Sequence, residues 1–236
     1  MPDRDRPLYA VLIDADNIPA KFAGAILKEI TALGEPALRR VYGDWSSGRL
    51  NSWSRVVRDL GLVAHQESAN TVGKNASDIG LVIDAMDILH TGRFDGFVLV
   101  SSDSDFTALA NRVREQGMDV IGIGEAKAPE ALRNVCNRFI LIENIVDEPV
   151  SQDAAKQAGG KVEPVEAIPL ILKAMEKIDQ DDEWYALGQL GQFITADNPD
   201  FDTRTYGKRK LSDLVADLKR FETNKVGNQL MIRRVD

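Results

Sequence analysis

One cysteine and two histidines among 236 residues leave too few ligands for a zinc finger and no partner for an internal disulfide. A reducing compartment suits a chain whose single thiol is Cys136. Long apolar runs are missing too. No stretch approaches the roughly 20 residues that span a bilayer, and the opening MPDRDRP has no apolar segment of the secretory kind. The expectation is a cytoplasmic protein without membrane contact. Positive charge is scarce: 29 Lys and Arg stand against 37 Asp and Glu, a net charge of −8. That excludes nucleic-acid binding through bulk positive charge, so any such site has to be local. An acidic excess is also what carboxylates reserved for divalent cations leave in a bare sequence.

What the chain does have is 44% hydrophobic and 28% charged residues, enough to bury a core. Apolar, β-branched runs recur as LYAVLID, ALRRVYGD, LVAHQE, GFVLVSSD, MDVIGIG and FILIEN. Between them lie segments of helical spacing, among them Ile18 to Leu33, Ser77 to His90 and Phe106 to Gln116. The alternation predicts an α/β fold, a parallel sheet with flanking helices, and the unbroken apolarity of YAVLI and FVLV suits strands covered on both faces. After Asn144 the text changes to DEPVSQDAAKQAGGKVEP, a linker by its prolines, paired glycines and lack of periodicity. Three helical stretches follow, AIPLILKAMEKI, WYALGQLGQFITA and RKLSDLVADLKRF, and then NQLMIRRVD, which alternates like a strand. Together they predict a small winged helix-turn-helix. The expected division is a first domain over 1–146, a linker over 147–163 and a second domain over 164–236. From Lys161 onward 12 basic and 14 acidic residues leave −2 there, so −6 belongs to the first part.

The chemistry concentrates in aspartates. LIDADN sets Asp14, Asp16 and Asn17 where the first strand ends, and SSDSDF sets Asp103 and Asp105 where the fourth ends. In an open α/β sheet with right-handed crossovers, both ends fall on one edge, the edge where ligands bind. Asp78, in GKNASDIGLVIDAMD, precedes Leu81 and Ala85 by three and seven residues and so lies on the line of the helix's apolar stripe. An inward carboxylate needs a cation, either Lys74 or a metal. Carboxylates with no histidine or cysteine beside them form a hard oxygen site suited to Mg²⁺ or Mn²⁺. Such ions serve phosphodiester hydrolysis. Asp14, Asp78 and Asp103 are assigned as the main ligands, Asp105 as a further or water-mediated one, and Asn17 as the group that orients Asp14 or the phosphate. Against this stands a plainer reading, in which Ser102 or Asp103 caps the helix that follows. Capping explains either motif alone, but it does not call for two acidic strand ends and an inward helix carboxylate in one chain. Asp87 reads as solvated, and Asp84 as equally suited to the site or to an arginine partner.

These motifs resemble the NYN domain, the LabA-like branch of the PIN-like nucleases. LIDADN is similar to its opening acidic motif, GKNASDIGLVIDAMD to its central helix, SSDSDF to its S-x-D-S-D-F, and IGIGEAKAPEALRNVCNRFILIENI to its closing segment, so the likeness covers roughly residues 7 to 146. It implies a Rossmann-like PIN fold and an endoribonuclease dependent on Mg²⁺ or Mn²⁺, with Asp14, Asp78 and Asp103 as catalytic ligands and Asp105 beside them. Ser102 stands where many relatives have glycine, which leaves the carboxylates intact. The tail, through WYALGQLGQFI, NPDFDTRTYGKRKLSDLV and the last strand, is similar to the OST-HTH or LOTUS domain, which binds RNA or protein partners. Arg204, Lys208, Arg209, Lys210, Lys219 and Arg220 are candidates to meet phosphates, and Tyr206 or Phe221 to stack on bases. Phe201, Tyr206 and Phe221 are as readily core residues.

Other features say less. GIGEAKA lacks the third glycine of a dinucleotide fingerprint and reads as a turn. His65 and His90 accompany no nucleophile motif. Trp45 and Trp53 flank a polar loop, GDWSSGRLNSW, whose Arg49 and Arg55, together with Lys74 further on, are candidates to contact an RNA backbone. Two other functions compete with the nuclease. One is a haloacid-dehalogenase-type phosphatase, with Asp14 and Asp16 as nucleophile and acid, although Asn17 and the lack of a cap insertion speak against it. The other is an RNA-binding scaffold without turnover, which has no need of the acidic set.

Overall fold

In the computed structural model, residues 5–66, 76–146, 162–178, 180 and 182–235 are described. Lys74 and most of the expected linker, residues 147–161, lie outside them. The chain forms two compact units that divide between Ala154 and Ala155. Among the described residues no helix is long and apolar enough to cross a membrane.

The first unit is a six-stranded sheet made of β1 (Leu8–Asp14), β2 (Glu35–Gly43), β3 (Val63–Gln66), β4 (Gly96–Val100), β5 (Asp119–Gly124) and β6 (Arg138–Leu141). Every neighbouring pair is parallel, in the order β3-β2-β1-β4-β5-β6. Along β1 successive side chains feed opposite faces, as the period of two requires. Val11 and Ile13 join Ile26 and Ile30 of α1 (Ala23–Leu33) and Trp53 of α2 (Asn51–Asp59) in one core. Ala10 and Leu12 join the second core, with Leu81, Ala85 and Ile88 of α3 (Ala76–His90), Leu109 and Val113 of α4 (Thr107–Glu115) and Leu132 of α5 (Glu130–Val135). A sheet covered on both faces needs near-continuous apolar strands, and GFVLV in β4 is buried at every position.

The chain thus winds outward from β1 to β3, then crosses to β4 and winds the other way. The reversal falls between β1 and β4, where the loops leaving the two strand ends turn to opposite faces and open a crevice. One detail differs from the expectation. The segment GDWSSGRLNSW is not a loop throughout, because its second half turns into α2, anchored by Trp53, which is 1% exposed and donates Nε1–H to the Ile18 carbonyl at 2.9 Å. GIGEAKA runs out of β5 into a turn that enters α5, as Ala128 N–H returns to the Glu125 carbonyl.

The second unit holds α6 (Ile168–Lys177), α7 (Leu187–Asp197), α8 (Leu211–Ala216) and a three-stranded antiparallel sheet in the order β7-β9-β8, from β7 (Tyr185–Ala186), β8 (Phe221–Val226) and β9 (Gln229–Arg234). This is the build of a winged helix-turn-helix. Its core gathers Ile171, Leu190, Ile194, Leu214, Val215, Phe221 and Ile232, with Phe201 and Tyr206 packed against it. The third helix is shorter than its pattern suggested. Leu218 N–H bonds back to Val215 and Phe221 N–H to Leu218, a turn that releases Phe221 into β8.

Candidate metal centre

The register of β1 against β4 pairs Ile13 with Val100, so Asp14 and Ser101 leave the sheet side by side at the reversal point. Asp14 is 1% exposed. Its Oδ1 accepts N–H bonds from Asp16 at 3.2 Å and Asn17 at 3.3 Å, and its Oδ2 accepts from Asn17 Nδ2 at 2.6 Å and Ser101 Oγ at 2.9 Å. Burial pushes the Asp14 carboxyl up, against the lowering effect of those bonds. Asn17 thus donates to Asp14 from both its backbone and its side-chain amide. The phosphatase alternative needs an exposed oxygen on Asp14, and an almost fully buried carboxylate held by four donors does not offer one.

Ser101, which sequence reasoning passed over, links the two strand ends. Its hydroxyl donates to Asp14 and accepts the N–H of Asp103 at 3.1 Å. Asp103 then accepts the N–H of Asp105 at 3.0 Å and so caps the 3-10 turn Ser104–Phe106 that opens into α4. The capping reading is thus correct for Asp103, and it does not displace the other reading, because the same carboxyl also faces Asp78. Ser102 has a different task. Its Oγ accepts the Glu125 N–H at 2.8 Å and ties the end of β4 to the end of β5. The two ends meet closely at Gly124, where a Cβ would stand 2.6 Å from the Ser101 carbonyl oxygen. Glu125, 7% exposed and paired with Lys127, is a further acidic residue at this edge that no motif announced.

Asp78 arrives from the other side, in the first turn of α3. Asp78, Asp103 and Asp105 each offer an oxygen, and the three lie within 4.8 Å of one another. Asp14 is not one of the three, but it stands near enough to act on them. Burial pushes Asp78 up to about 6, helped by the charges of Asp14, Asp103, Asp105 and Asp16 in that order. A carboxyl held against others in this way, as Asp78 is, resists ionisation until a cation relieves it. An all-oxygen donor set of this size fits a hard divalent ion. The sequence-predicted residues are therefore brought together as a triad of Asp78, Asp103 and Asp105, with Asp14 and Asn17 beside it.

Asp84 does not join them. Its carboxylate accepts from Arg40 through one oxygen and from the Tyr42 hydroxyl through the other. Against the opposing effect of partial burial, those two bonds hold it below the usual carboxylate range. Asp87 is exposed. His65 stacks on Tyr42 with ring centroids 5.1 Å apart, and His90 turns Nδ1 to the Met86 carbonyl.

The candidate RNA contacts divide. Arg49 and Arg55 are exposed, on the segment that follows β2 at the carboxyl edge of the sheet. In the second unit Arg204 is gripped by Asp202 through Nε and Nη2, and Lys208 is paired with Asp217. Both cations are thus partly neutralised within the fold, whereas Arg209 and Lys210 are exposed and make no ion pair among the described residues. Phe201 and Tyr206 pack against each other at 5.9 Å, and Phe221 is buried, which makes them core residues rather than a base platform.

Residues 9–143 match the NYN domain family, and residues 163–231 match the OST-HTH/LOTUS domain. Among solved structures the chain is similar to a protein of unknown function from Vibrio parahaemolyticus, at 20% identity and a TM-score of 0.51, over 60% of this chain and 96% of that one. At that identity the likeness speaks for the fold alone. A weaker likeness to MurG of Acinetobacter baumannii, at 12% identity and a TM-score of 0.40 over 83% of this chain and 65% of that one, carries no argument. No curated protein matches the chain.

Proposed function

Because the chain belongs to the NYN domain family, with an OST-HTH/LOTUS domain behind it, we propose that it is an endoribonuclease that hydrolyses RNA phosphodiester bonds at a Mg²⁺- or Mn²⁺-loaded aspartate centre. The observation that carries this reading is the triad of Asp78, Asp103 and Asp105 within 4.8 Å, seated at the reversal point of a parallel sheet. Asp78, Asp103 and Asp105 would hold the ion, with Asp14 and Asn17 completing its surroundings. When bound, such an ion makes a coordinated water more acidic, orients the phosphate and offsets charge on the attacking and leaving oxygens.

The protein's own groups do the rest. Ser101 keeps Asp103 in register with Asp14, and the cap that Asp103 gives to the turn before α4 fixes its carboxyl direction. Asn17 holds Asp14 through its side-chain amide. Arg49 and Arg55 on the first unit meet the RNA backbone, and separately Arg209 and Lys210 do so on the second, in a chain of net charge −8.

The test is a cleavage assay on single-stranded RNA across a metal series. Cleavage is expected with Mg²⁺ or Mn²⁺, none with EDTA, and none from a folded Asp103→Asn variant. Wild-type turnover by Asp103→Asn would end the proposal. A binding-only protein would retain RNA through every metal condition without cutting it. Removal of residues 160–236 is expected to weaken RNA binding while sparing cleavage, and unchanged affinity would assign the second unit to a protein partner instead.

A further inference from the structure

Of the carboxylates at the centre, all but Asp78 leave from β1 and β4, whose mutual register is fixed by a ladder of backbone bonds. Asp78 is carried by a helix. The position of its carboxyl therefore depends on how α3 is rolled and slid across the sheet. The apolar contacts of α3, through Leu81, Ala85, Ile88 and Leu89, favour burial without fixing a direction. On its other side Ile79 and Ile83 are about three-fifths exposed, at 60% and 59%, so no element of the described fold encloses the first turns from outside. The like charges of Asp14, Asp103 and Asp105 meanwhile push on Asp78 once it is ionised and no cation is present.

Among the described residues one directional attachment opposes that push. Asp84 lies six residues beyond Asp78, about 9 Å along the helix axis. Both its oxygens are held from β2, one by Arg40 and the other by the Tyr42 hydroxyl. Tyr42 is itself fixed: it is 1% exposed, it stands opposite Asp14 in the β1–β2 register, and its ring rests on His65 of β3. Arg40 and Asp84 are both largely shielded, with side chains 28% and 21% exposed, so their attraction is screened less than that of a surface pair.

We propose that Asp84 is a positioning residue, clamped by Arg40 and Tyr42 so that α3 holds Asp78 against the other carboxylates before any cation arrives. This rests on the reading of the triad as a metal centre. It accounts for an ion pair under a helix that already has an apolar face, and it makes the site ready in advance at the expense of repulsion within it.

Two measurements on the full chain test it, Mn²⁺ affinity by calorimetry and amide hydrogen exchange of residues 79 to 84 in metal-free protein. Asp84→Ala is expected to weaken Mn²⁺ binding about tenfold, because apparent affinity falls with the fraction of molecules whose site is assembled. Its cleavage deficit should close as Mn²⁺ is raised, and its α3 amides should exchange faster while those of α4 do not. Ile88→Val is the control. It thins the apolar contact of the same helix, so it should lower the melting temperature and leave Mn²⁺ affinity alone. If Asp84→Ala does not fold, Tyr42→Phe removes one of the two bonds and should weaken Mn²⁺ about threefold by the same relation. Wild-type Mn²⁺ affinity in the folded variant overturns the clamp, as does an equal loss of affinity in Ile88→Val. If the wild-type chain binds no Mn²⁺, the metal-centre reading falls and exchange alone decides, with unchanged protection of α3 in Asp84→Ala overturning the clamp and faster exchange upholding it.

Discussion

In the C-terminal unit acidic side chains sit against cations. Asp197 faces Lys177 and Lys173, Asp202 grips Arg204, Asp217 pairs with Lys208 and Glu222 with Arg233. At the carboxyl edge of the N-terminal sheet, aspartates sit against one another. One carboxylate from each set shows the difference in its ionisation. The bond from Lys177 holds Asp197 below the usual carboxylate range, while burial and its acidic neighbours push Asp78 up to about 6. Surface pairing is the ordinary fate of a carboxylate and says little about function. Convergence of like charges weakens the fold by itself, so it points to something that the fold alone does not supply.

The contrast can be broken most forcefully by giving the centre a cation of its own. Asp105→Lys should pair with Asp78 and Asp103 as lysines do in the other unit. Cleavage should then drop on the order of a hundredfold or more, the scale on which lost electrostatic stabilisation is felt, while the metal-free protein melts higher. A variant that cuts RNA normally, or that melts lower, would show that the carboxylates do not share one field. Next in size is the effect of pH. Asp78 titrates near 6 when folded and close to 4 when unfolded, so its ionisation disfavours the folded state from about pH 4 upward, in full above 6. Metal-free Asp78→Asn should therefore be more stable than wild type at pH 7, with the advantage shrinking between pH 6 and 4 and gone below 4. Melting curves across that range check it, and an advantage independent of pH would separate Asp78 from its neighbours. The smallest effect belongs to the paired set. Asp217→Asn, which undoes one partly exposed pair, should change stability by no more than about 1 kcal/mol, as read by urea unfolding, and leave cleavage untouched.

Much of this was legible in the sequence because parallel strands covered on both faces must be apolar at consecutive positions. LYAVLID and GFVLV could hardly be anything else. The strand-end aspartates were legible for a related reason, since parallel connectivity sends every strand's carboxyl end to the same edge. α2 was hidden because its turns are polar and their burial depends chiefly on Trp53, whose contacts lie across the chain at Ile18. Asp84 could not be assigned from spacing, as its partners sit on β2, more than forty residues earlier. The order of importance among the carboxylates was hidden as well. Asp14 and Asp103 have equal standing in the motifs, yet four donors surround the first and the second lies in the triad.

Gly124 draws a further boundary around the centre. With only a hydrogen there, β5 passes so close to β4 that any larger residue would have to lift the Ser101 peptide. The hydroxyl that reaches both Asp14 and Asp103 would lift with it. Tolerance to substitution should therefore be low at a residue that carries no chemistry at all, and a survey of variants ranked by lost activity would find a bare stretch of backbone among the aspartates.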